Sequence, residues 1–250
     1  MTSDFVPPDP DEALSRLKMP LVDAMQTQRA VRRLHLDPVD HDVLLPLLQL
    51  SLKAPTSSNT QDWLYMVVES PEQKARLARL YRVLYRTFHP IEERKARRDG
   101  DEQALRNMRP GAWQAEHFHE LPTFVIPCYT RNLKHRPVGR PQISVSSFYG
   151  SVYPAVQNLL LSCRAVGLGA SLQTLPIWAV PVARRILGLP RNMVPVCVIP
   201  IGWARGRYGP TTRRPIGEVV HVDRYGNRPF LGPGGGSDES GEAHQGDSPN

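Results

Sequence analysis

The chain has 250 residues, 40% of them hydrophobic, which suits one compact domain with a buried core. The longest apolar run, near residues 193–203, contains Pro195 and Pro200 and is too short to span a bilayer, so we predict no membrane association. The formal net charge is +7, but the basic residues are scattered and do not form a stripe with interleaved aromatic residues. This distribution argues against a nucleic-acid-binding protein.

The two ends of the sequence are predicted to lie outside a single domain that covers residues 11–231. Residues 1–10 are acidic and rich in proline, so we expect a flexible N-terminus without the features of a secretory or mitochondrial signal, and a cytoplasmic protein. Residues 232–250 contain glycine, serine and charged residues but no large apolar residue, which is typical of a disordered tail.

The first third of the chain predicts two helical regions and a strand. Residues 11–28 have apolar side chains at helical spacing, and Pro20 should bend or split that helix. Asp40 can cap a second helix, which runs to Leu52. A polar loop follows, and the β-prone run at 63–68 then predicts a buried strand.

The rest of the chain predicts a mixture of helices and strands. Pro71 opens a long helix, and residues 90–119, which are highly charged and helical in character, are interpreted as an irregular lid or excursion. The remaining predicted elements are a strand at 123–129, a basic loop at 131–142, a helix at 146–166, a short helix at 182–187 ended by Gly188, and a strand at 194–203. The helix at 146–166 is apolar nearly all round, so it should be buried in the core or at a subunit interface. The order of elements predicts an α/β or α+β fold with a sheet covered on both faces.

Three polar segments, far apart in sequence, are candidate ligand-binding segments. If residues 28–33 are helical, Arg29 lies beside Arg32 and Arg33 and forms a cationic site that suits a phosphate monoester; a solvated basic face is the alternative. Residues 54–63 offer hydroxyls and amides to a polar cofactor, or form a plain polar turn. Residues 167–174 contain small residues that allow close backbone approach to a ligand, or form a simple helix C-cap without a dinucleotide fingerprint.

The cysteines and histidines do not predict a metal site. Cys128, Cys163 and Cys197 are widely spaced in apolar contexts, which favours reduced cysteines in the core. His117 and His119 are the best metal candidates, but they have no partner cluster and are interpreted as solvated or substrate-facing.

Five segments together resemble the nitroreductase family. They are TQRAVRRLHLDPV at 27–39, APTSSNTQDW at 54–63, AVQNLLLSCRAVGLGA at 155–170, VIPIGW at 198–203 and RRPIGEVVHVDRYG at 213–226. Their order and spacing agree with the family from about residue 24 to residue 226. The chain departs from the family at Gln28-x-Ala30-x-Arg32, where Arg-x-Ser-x-Lys/Arg is common, and at Gln61-Asp62-Trp63, where Gln-Pro-Trp is common.

The resemblance implies an α+β fold, namely a three-layer α/β/α sandwich with a central mixed sheet, in an intertwined homodimer with FMN between the subunits. The implied cofactor-binding residues fall into three groups. Arg29, Arg32, Arg33 and Arg213 would hold the flavin phosphate; Pro55, Thr56, Ser57, Asn59 and Gln61 would reach across from the other subunit; and the backbone at Leu172, Gln173 and Thr174 would donate to the flavin ring.

The resemblance also implies an FMN-dependent oxidoreductase with a ping-pong mechanism. NADH or NADPH would deliver hydride to FMN, and a nitroaromatic, quinone or similar small acceptor would then collect the electrons. Trp113, His117, Phe118 and Tyr149 are the substrate-facing candidates, and no catalytic side chain is named. One alternative is a protein of the same fold that binds, sequesters or cleaves flavin without general reductase activity. The other is a regulatory or nucleic-acid-binding protein.

Overall fold

The computed structural model describes residues 5–130 and 141–231 of the chain. The predicted tail at 232–250 and most of the predicted basic loop at 131–142 lie outside these residues. The chain separates into two compact units, Met1–Pro210 and Thr211–Asn250, where the sequence predicted one domain over 11–231. Within the described ranges, no helix combines the length and the apolar character needed to cross a membrane.

Eight helices and five strands are formed by the described residues. The helices are α1 Pro10–Ser15, α2 Leu21–Thr27, α3 His41–Ser51, α4 Pro71–Arg98, α5 Glu102–His117, α6 Pro141–Val166, α7 Val180–Leu187 and α8 Ile216–Val219. The strands are β1 Trp63–Val68, β2 Thr123–Thr130, β3 Leu168–Ala170, β4 Met193–Pro195 and β5 Ile199–Trp203.

The sheet has the strand order β1-β2-β5-β3, with β4 also paired to β2. All pairings among these strands are antiparallel, where a mixed sheet was predicted. The connection from β1 to β2 shows why. It consists of α4 and α5, two helices packed antiparallel through contacts such as Arg82 with Glu116 (3.0 Å) and Tyr85 with Met108 (3.5 Å). Two such helices return the chain in the direction opposite to β1, whereas a single crossover helix would give parallel neighbours.

The predicted strand at 194–203 is two strands. Pro195 pairs with Cys128 and Ile199 pairs with Val125, so both strands lie on β2. Between them, Val198 leaves this ladder and exchanges its two backbone hydrogen bonds with Gln173, at 2.8 and 2.9 Å. The interruption therefore belongs to the candidate site described below.

The core is divided between the two faces of the sheet. Alternate residues of β2 point in opposite directions, so Val125 packs with the helices α1, α3 and α6. Phe124 and Ile126 pack on the other side with α4, α5 and α7. This arrangement confirms the predicted α+β fold with helices on both faces. The second half of α6, including Val156, Leu159 and Cys163, is buried in the first cluster, as its apolar pattern predicted.

Local sequence signals explain several helix ends. Asp40 accepts a hydrogen bond from the Asp42 amide at the start of α3, and Gly188 ends α7 with φ 67°. The predicted break at Pro20 is also present, because α1 and a short 3-10 turn end at Lys18 and α2 begins at Leu21.

The prediction of an irregular excursion at 90–119 is wrong. α4 continues through Pro90 to Arg98, and α5 occupies residues 102–117. Ion pairs at helical spacing, such as Arg97 with Glu93 (2.6 Å) and Arg106 with Glu102 (3.2 Å), favour helix in these exposed, highly charged stretches.

The N-terminal residues 5–10 are packed, although flexibility was predicted for residues 1–10. The Phe5 ring stacks on His35 at 3.8 Å between centroids, and the Asp9 carboxylate accepts from the Glu12 amide to cap α1. The ring of Phe5 is thus held by a residue 30 positions away in the sequence. The composition of residues 1–10 gives no indication of such a contact.

The three cysteines are free and buried, as predicted. Burial raises the pKa of Cys128, Cys163 and Cys197 to about 12. Their thiols are therefore protonated at neutral pH, and none has the character of a nucleophile.

The second unit is organised around a histidine. The His221 ring accepts a hydrogen bond from the Gly226 amide (2.7 Å) and contacts the Arg228 guanidinium (3.2 Å). Gly217 in α8 lies against the Phe230 carbonyl with no room for a Cβ.

Candidate functional site

The arginine segment at 28–33 is extended, so its predicted helical arrangement is wrong. α2 ends at Thr27, and the following backbone is bound by the sheet. The Val31 amide donates to the Ala170 carbonyl (3.0 Å), and Leu34 forms a bridge with Ala204. These partners lie far along the sequence, so helical propensity is overridden by tertiary hydrogen bonds.

Gly169 permits this close approach between the arginine segment and β3. A Cβ at position 169 would lie 2.5 Å from the Leu34 Cδ2 atom and 2.8 Å from the Val31 Cγ1 atom. Only a residue without a side chain fits against these two groups. The predicted first and third ligand-binding segments are thus held side by side within one chain.

The three arginines occupy different environments. Arg29 and Arg33 are exposed, whereas Arg32 is half-buried and its Nε is fully buried without a hydrogen-bond partner among the described residues. Burial raises the pKa of Tyr85 to about 12, and the nearby Arg32 charge acts in the opposite direction. The Arg32 Nε is therefore a buried donor that a ligand could satisfy, and a buried donor without a partner is costly.

The main chain at 172–174 is positioned by Val198. Gln173 uses its backbone amide and carbonyl in the two hydrogen bonds with Val198. The prediction that its amide donates to the flavin ring is therefore wrong, because that amide is already bonded. Successive amides along an extended chain point in opposite directions. The amides of Leu172 and Thr174, which have no hydrogen-bond partner among the described residues, are the donors that this segment retains.

A network of buried polar side chains lies behind this segment. The Gln114 Nε2 donates to the Ser171 hydroxyl (2.9 Å), and the Gln173 Nε2 donates to the Gln114 Oε1 (2.7 Å). The Tyr81 hydroxyl donates to the Gln173 Oε1 (3.4 Å). Burial raises the pKa of Tyr81, so the hydroxyl stays protonated and can act as this donor.

Sequence reasoning did not identify Gln114, Ser171 or Tyr81. A signal exists for Gln114, because the helical spacing of α5 places it on the same face as the fully buried Phe118. A polar residue on the apolar face of a helix indicates a buried hydrogen-bond partner, but the partner itself cannot be read from the sequence.

The loop at 55–61 has an unusual backbone. Ser58, Asn59 and Gln61 all have positive φ, between 51° and 52°, and glycine is absent from these positions. Such conformations are costly for residues with a Cβ and are concentrated at functional sites. The Ser57 amide donates to the Ser151 hydroxyl of α6 (3.1 Å), which fixes the loop on that helix. Pro55, Ser57, Asn59 and Gln61 are exposed and Thr56 is half-buried.

The predicted substrate-facing residues are not equivalent. Trp113 is half-buried, its indole stacks on His117 at 4.5 Å between centroids, and the Arg33 guanidinium carbon lies 5.6 Å from its ring centroid. Tyr149 on α6 is 44% exposed. Phe118 is fully buried and stacks on Phe124 in the core, so its predicted role as a substrate contact does not agree with its position.

Arg213 belongs to the second unit, where its guanidinium donates to the Thr212 carbonyl (2.8 Å). Its side chain is exposed. The predicted phosphate contact by Arg213 stays a prediction.

Comparison with known proteins identifies the family. The profile of the Nitroreductase family matches residues 25–203, which include the arginine segment, the loop at 55–61 and the segment at 172–174. This match covers most of the chain, and the chain therefore belongs to the nitroreductase family.

Individual relatives are distant. The chain is 25% identical to a 4-nitrobenzoate reductase from Nocardioides sp. (strain LMS-CY), over 84% of this chain and 94% of that protein. It is 23% identical to an iodotyrosine deiodinase from Nematostella vectensis, over 84% of this chain and 77% of that protein. The crystal structure of an oxidized iodotyrosine deiodinase bound to FMN and 3-iodo-L-tyrosine has a TM-score of 0.64 at 19% identity and covers 82% of this chain and 100% of that chain. At this identity the structural likeness supports the fold alone.

Proposed function

We propose that the protein is an FMN-dependent oxidoreductase that passes electrons from NADH or NADPH to a small acceptor such as a nitroaromatic or a quinone. One observation carries the proposal: the backbone of the arginine segment is hydrogen-bonded to β3 directly before the segment at 172–174. Guanidinium groups suited to a phosphate therefore lie beside main-chain donors suited to a heteroaromatic ring. Membership of the nitroreductase family agrees with this combination.

The donor set fits FMN. Arg32, with its buried and unpartnered Nε, would hold the phosphate together with Arg29 and Arg33. The amides of Leu172 and Thr174 would donate to the ring edge and stabilise the negative charge that reduction creates. FMN, when bound by these residues, would supply the redox chemistry that links a reduced nicotinamide to the acceptor. The chain itself needs no nucleophile, which agrees with its protonated, buried cysteines.

The acceptor would lie beside Trp113 and His117. Tyr149 is on α6, which packs on the opposite face of the sheet from α5, so in the proposed dimer it would come from the partner subunit. His117 already covers one face of the indole, so Trp113 would form a wall of the acceptor site more readily than a stacking platform. A nitroaromatic acceptor is supported by the likeness to a 4-nitrobenzoate reductase. The likeness to iodotyrosine deiodinases makes a halogenated tyrosine the second acceptor to test.

A visible spectrum and a turnover assay test the proposal. The purified protein is expected to show two flavin absorbance bands, to release FMN on heating at about one per chain, and to oxidise NADH or NADPH when 4-nitrobenzoate or a quinone is added. Bound FMN without steady oxidation of either nucleotide would favour the flavin-binding or flavin-cleaving alternative. A colourless protein that takes up no added FMN would refute the proposal.

The proposed enzyme is a homodimer with the flavin between subunits. Several apolar side chains on the α6 side of the sheet are exposed: Leu21 (63%), Met25 (58%) and Leu45 (56%). Exposed apolar groups on neighbouring helices suggest a subunit interface. In the proposed dimer the loop at 55–61 reaches the site of the partner, which would explain its positive φ angles and exposed polar side chains.

Mixed dimers test this sharing of the site between subunits. An Arg32→Met chain and an Asn59→Ala/Gln61→Ala chain are each expected to bind FMN poorly as homodimers. When the two chains are co-expressed, half of the dimers are mixed, and each mixed dimer contains one site with both wild-type elements. Roughly a quarter of the wild-type FMN capacity should therefore return, as measured by flavin content after gel filtration. If the co-expressed protein holds no more FMN than the two homodimers hold separately, the loop and the arginines of each site come from the same chain.

A further inference from the structure

Gln114 connects α5 to the segment at 171–174 by a single buried amide. Its side chain is 0% exposed. The amide nitrogen donates to the Ser171 hydroxyl (2.9 Å), and the amide oxygen accepts from the Gln173 Nε2 (2.7 Å). Both functions of the amide are used, and both partners belong to the segment that follows β3.

Gln173 is fixed from three directions. Its side-chain oxygen accepts from the Tyr81 hydroxyl, its side-chain nitrogen donates to Gln114, and its main chain is paired with Val198. Leu172 and Thr174 are bonded directly to Gln173, so a displacement of Gln173 would also move their amides. Gln114 therefore acts on these amides through Gln173.

The position of Gln114 is not explained by packing. Its neighbours on the buried face of α5 are Ala115 and Phe118, and an apolar side chain there would pack without any need for partners. A buried amide is tolerated only when it is hydrogen-bonded, and a fully bonded network selects one arrangement of the elements it joins. The network therefore fixes the position of α5 relative to residues 171–174, and burial of apolar surface does not account for it.

The same helix carries the aromatic pair of the candidate site. Trp113 precedes Gln114 directly, and His117 stacks on Trp113. A shift of α5 along the sheet would move this pair relative to the amides at 172–174. Gln114 is the residue whose hydrogen bonds join the two sides.

We propose that Gln114 is a positioning residue that sets the distance between the acceptor-facing pair Trp113 and His117 and the flavin-facing amides at 172–174. This inference rests on the proposed function. It assigns Gln114 no contact with cofactor or substrate.

The test compares Gln114→Met with Gln103→Met. Methionine is unbranched and keeps similar bulk without an amide. Gln103 lies on the same helix but is exposed, so the second variant makes the same chemical change away from the network. Gln114→Met is expected to raise the dissociation constant for FMN about tenfold, measured by fluorescence quenching on titration of FMN into the apoprotein. It should also alter the absorbance spectrum of the bound flavin and lower kcat more than it raises KM for the acceptor.

Gln103→Met should match the wild-type protein in all three measurements. A Gln114→Met protein with the wild-type FMN constant and flavin spectrum would overturn the inference, even if its melting temperature fell, because the role of Gln114 would then be structural only. If Gln114→Met does not fold, Ser171→Ala removes the two hydrogen bonds that the Ser171 hydroxyl accepts from Gln114 and Gln173, and is judged by the same measurements. Failure of the wild-type protein to bind FMN would overturn the proposed function itself, and it is seen before any variant is made.

Discussion

An Arg32→Met variant is expected to bind FMN about ten to a hundred times more weakly than the wild-type protein. A hydrogen bond to a charged group contributes about 1.5–3 kcal/mol, so the loss of one such bond to the phosphate corresponds to roughly a ten- to hundredfold weaker affinity. Among the three candidate arginines, Arg32 combines partial burial with a fully buried, unpartnered Nε. Its electrostatic interaction with a phosphate is therefore screened less by water than that of the exposed Arg29 or Arg33.

The same substitution is expected to leave the apoprotein at least as stable as the wild type. Without a partner, the buried part of the Arg32 guanidinium costs free energy in the folded state. Methionine keeps the apolar stem and removes the charge, so the free energy of unfolding without FMN should be unchanged or higher by up to about 1 kcal/mol. Denaturant unfolding of the apoprotein measures the stability, which should be unchanged or higher. Titration with FMN measures the affinity, which should be lower.

Arg76→Met is the matched control, since Arg76 is an exposed arginine on α4 that lies outside the arginine segment in the sequence. It should change neither stability nor FMN affinity. If Arg32→Met binds FMN as tightly as the wild type while Arg29→Met or Arg33→Met does not, Arg32 is not a phosphate ligand. The exposed arginines would then provide the phosphate contacts.

The parts of the fold that could be predicted from the sequence are those with local causes. Asp40 and Gly188 mark helix ends because their side chain and backbone conformation act on residues next to them. The strand at 63–68 follows from a dense β-prone run, but the prediction that it is buried is wrong for most of its length. Only Val68 is buried and residues 63–67 are half-buried, because β1 is at the edge of the sheet. The helical character of residues 90–117 was also visible, but the segment was interpreted as an irregular excursion. Exposed ion pairs one turn apart stabilise two regular helices there.

The candidate site was only partly predictable, because its geometry depends on distant pairs. The sequence indicated the arginine segment and the segment at 167–174 as polar regions. Their contact depends on the bond from Val31 to Ala170, and the network behind them joins Gln114 to Gln173 across 59 positions of the chain. Such pairs leave no periodic pattern in the sequence. The extended form of residues 28–33 follows from the bond to Ala170, and the loss of the Gln173 amide as a donor follows from its bond to the Val198 carbonyl.

A Gly169→Ala variant is expected to disturb the site without touching a polar group. The added Cβ would meet the Leu34 Cδ2 at 2.5 Å, the Val31 Cγ1 at 2.8 Å and the Val31 Cβ at 3.1 Å. The Leu34 methyl group can rotate away, but the Val31 Cβ is fixed to the backbone, so the arginine segment has to shift away from β3 by a few tenths of an ångström. Overpacking of this kind costs about 1–3 kcal/mol of folding free energy.

Because Val31 is adjacent to Arg32, the displacement should also lower FMN affinity by about tenfold or more, measured by titration of the folded apoprotein. Gly111→Ala is the control: its Cβ would lie 3.5 Å from the Tyr85 hydroxyl in ordinary contact, and the exchange in the helix α5 should stabilise the protein by about 0.5–1 kcal/mol. A Gly169→Ala protein with reduced stability but unchanged FMN affinity would show that the arginine segment can leave β3 without consequence for the cofactor. The phosphate would then be held independently of the hydrogen bond from Val31 to Ala170. That hydrogen bond would no longer support the proposed function.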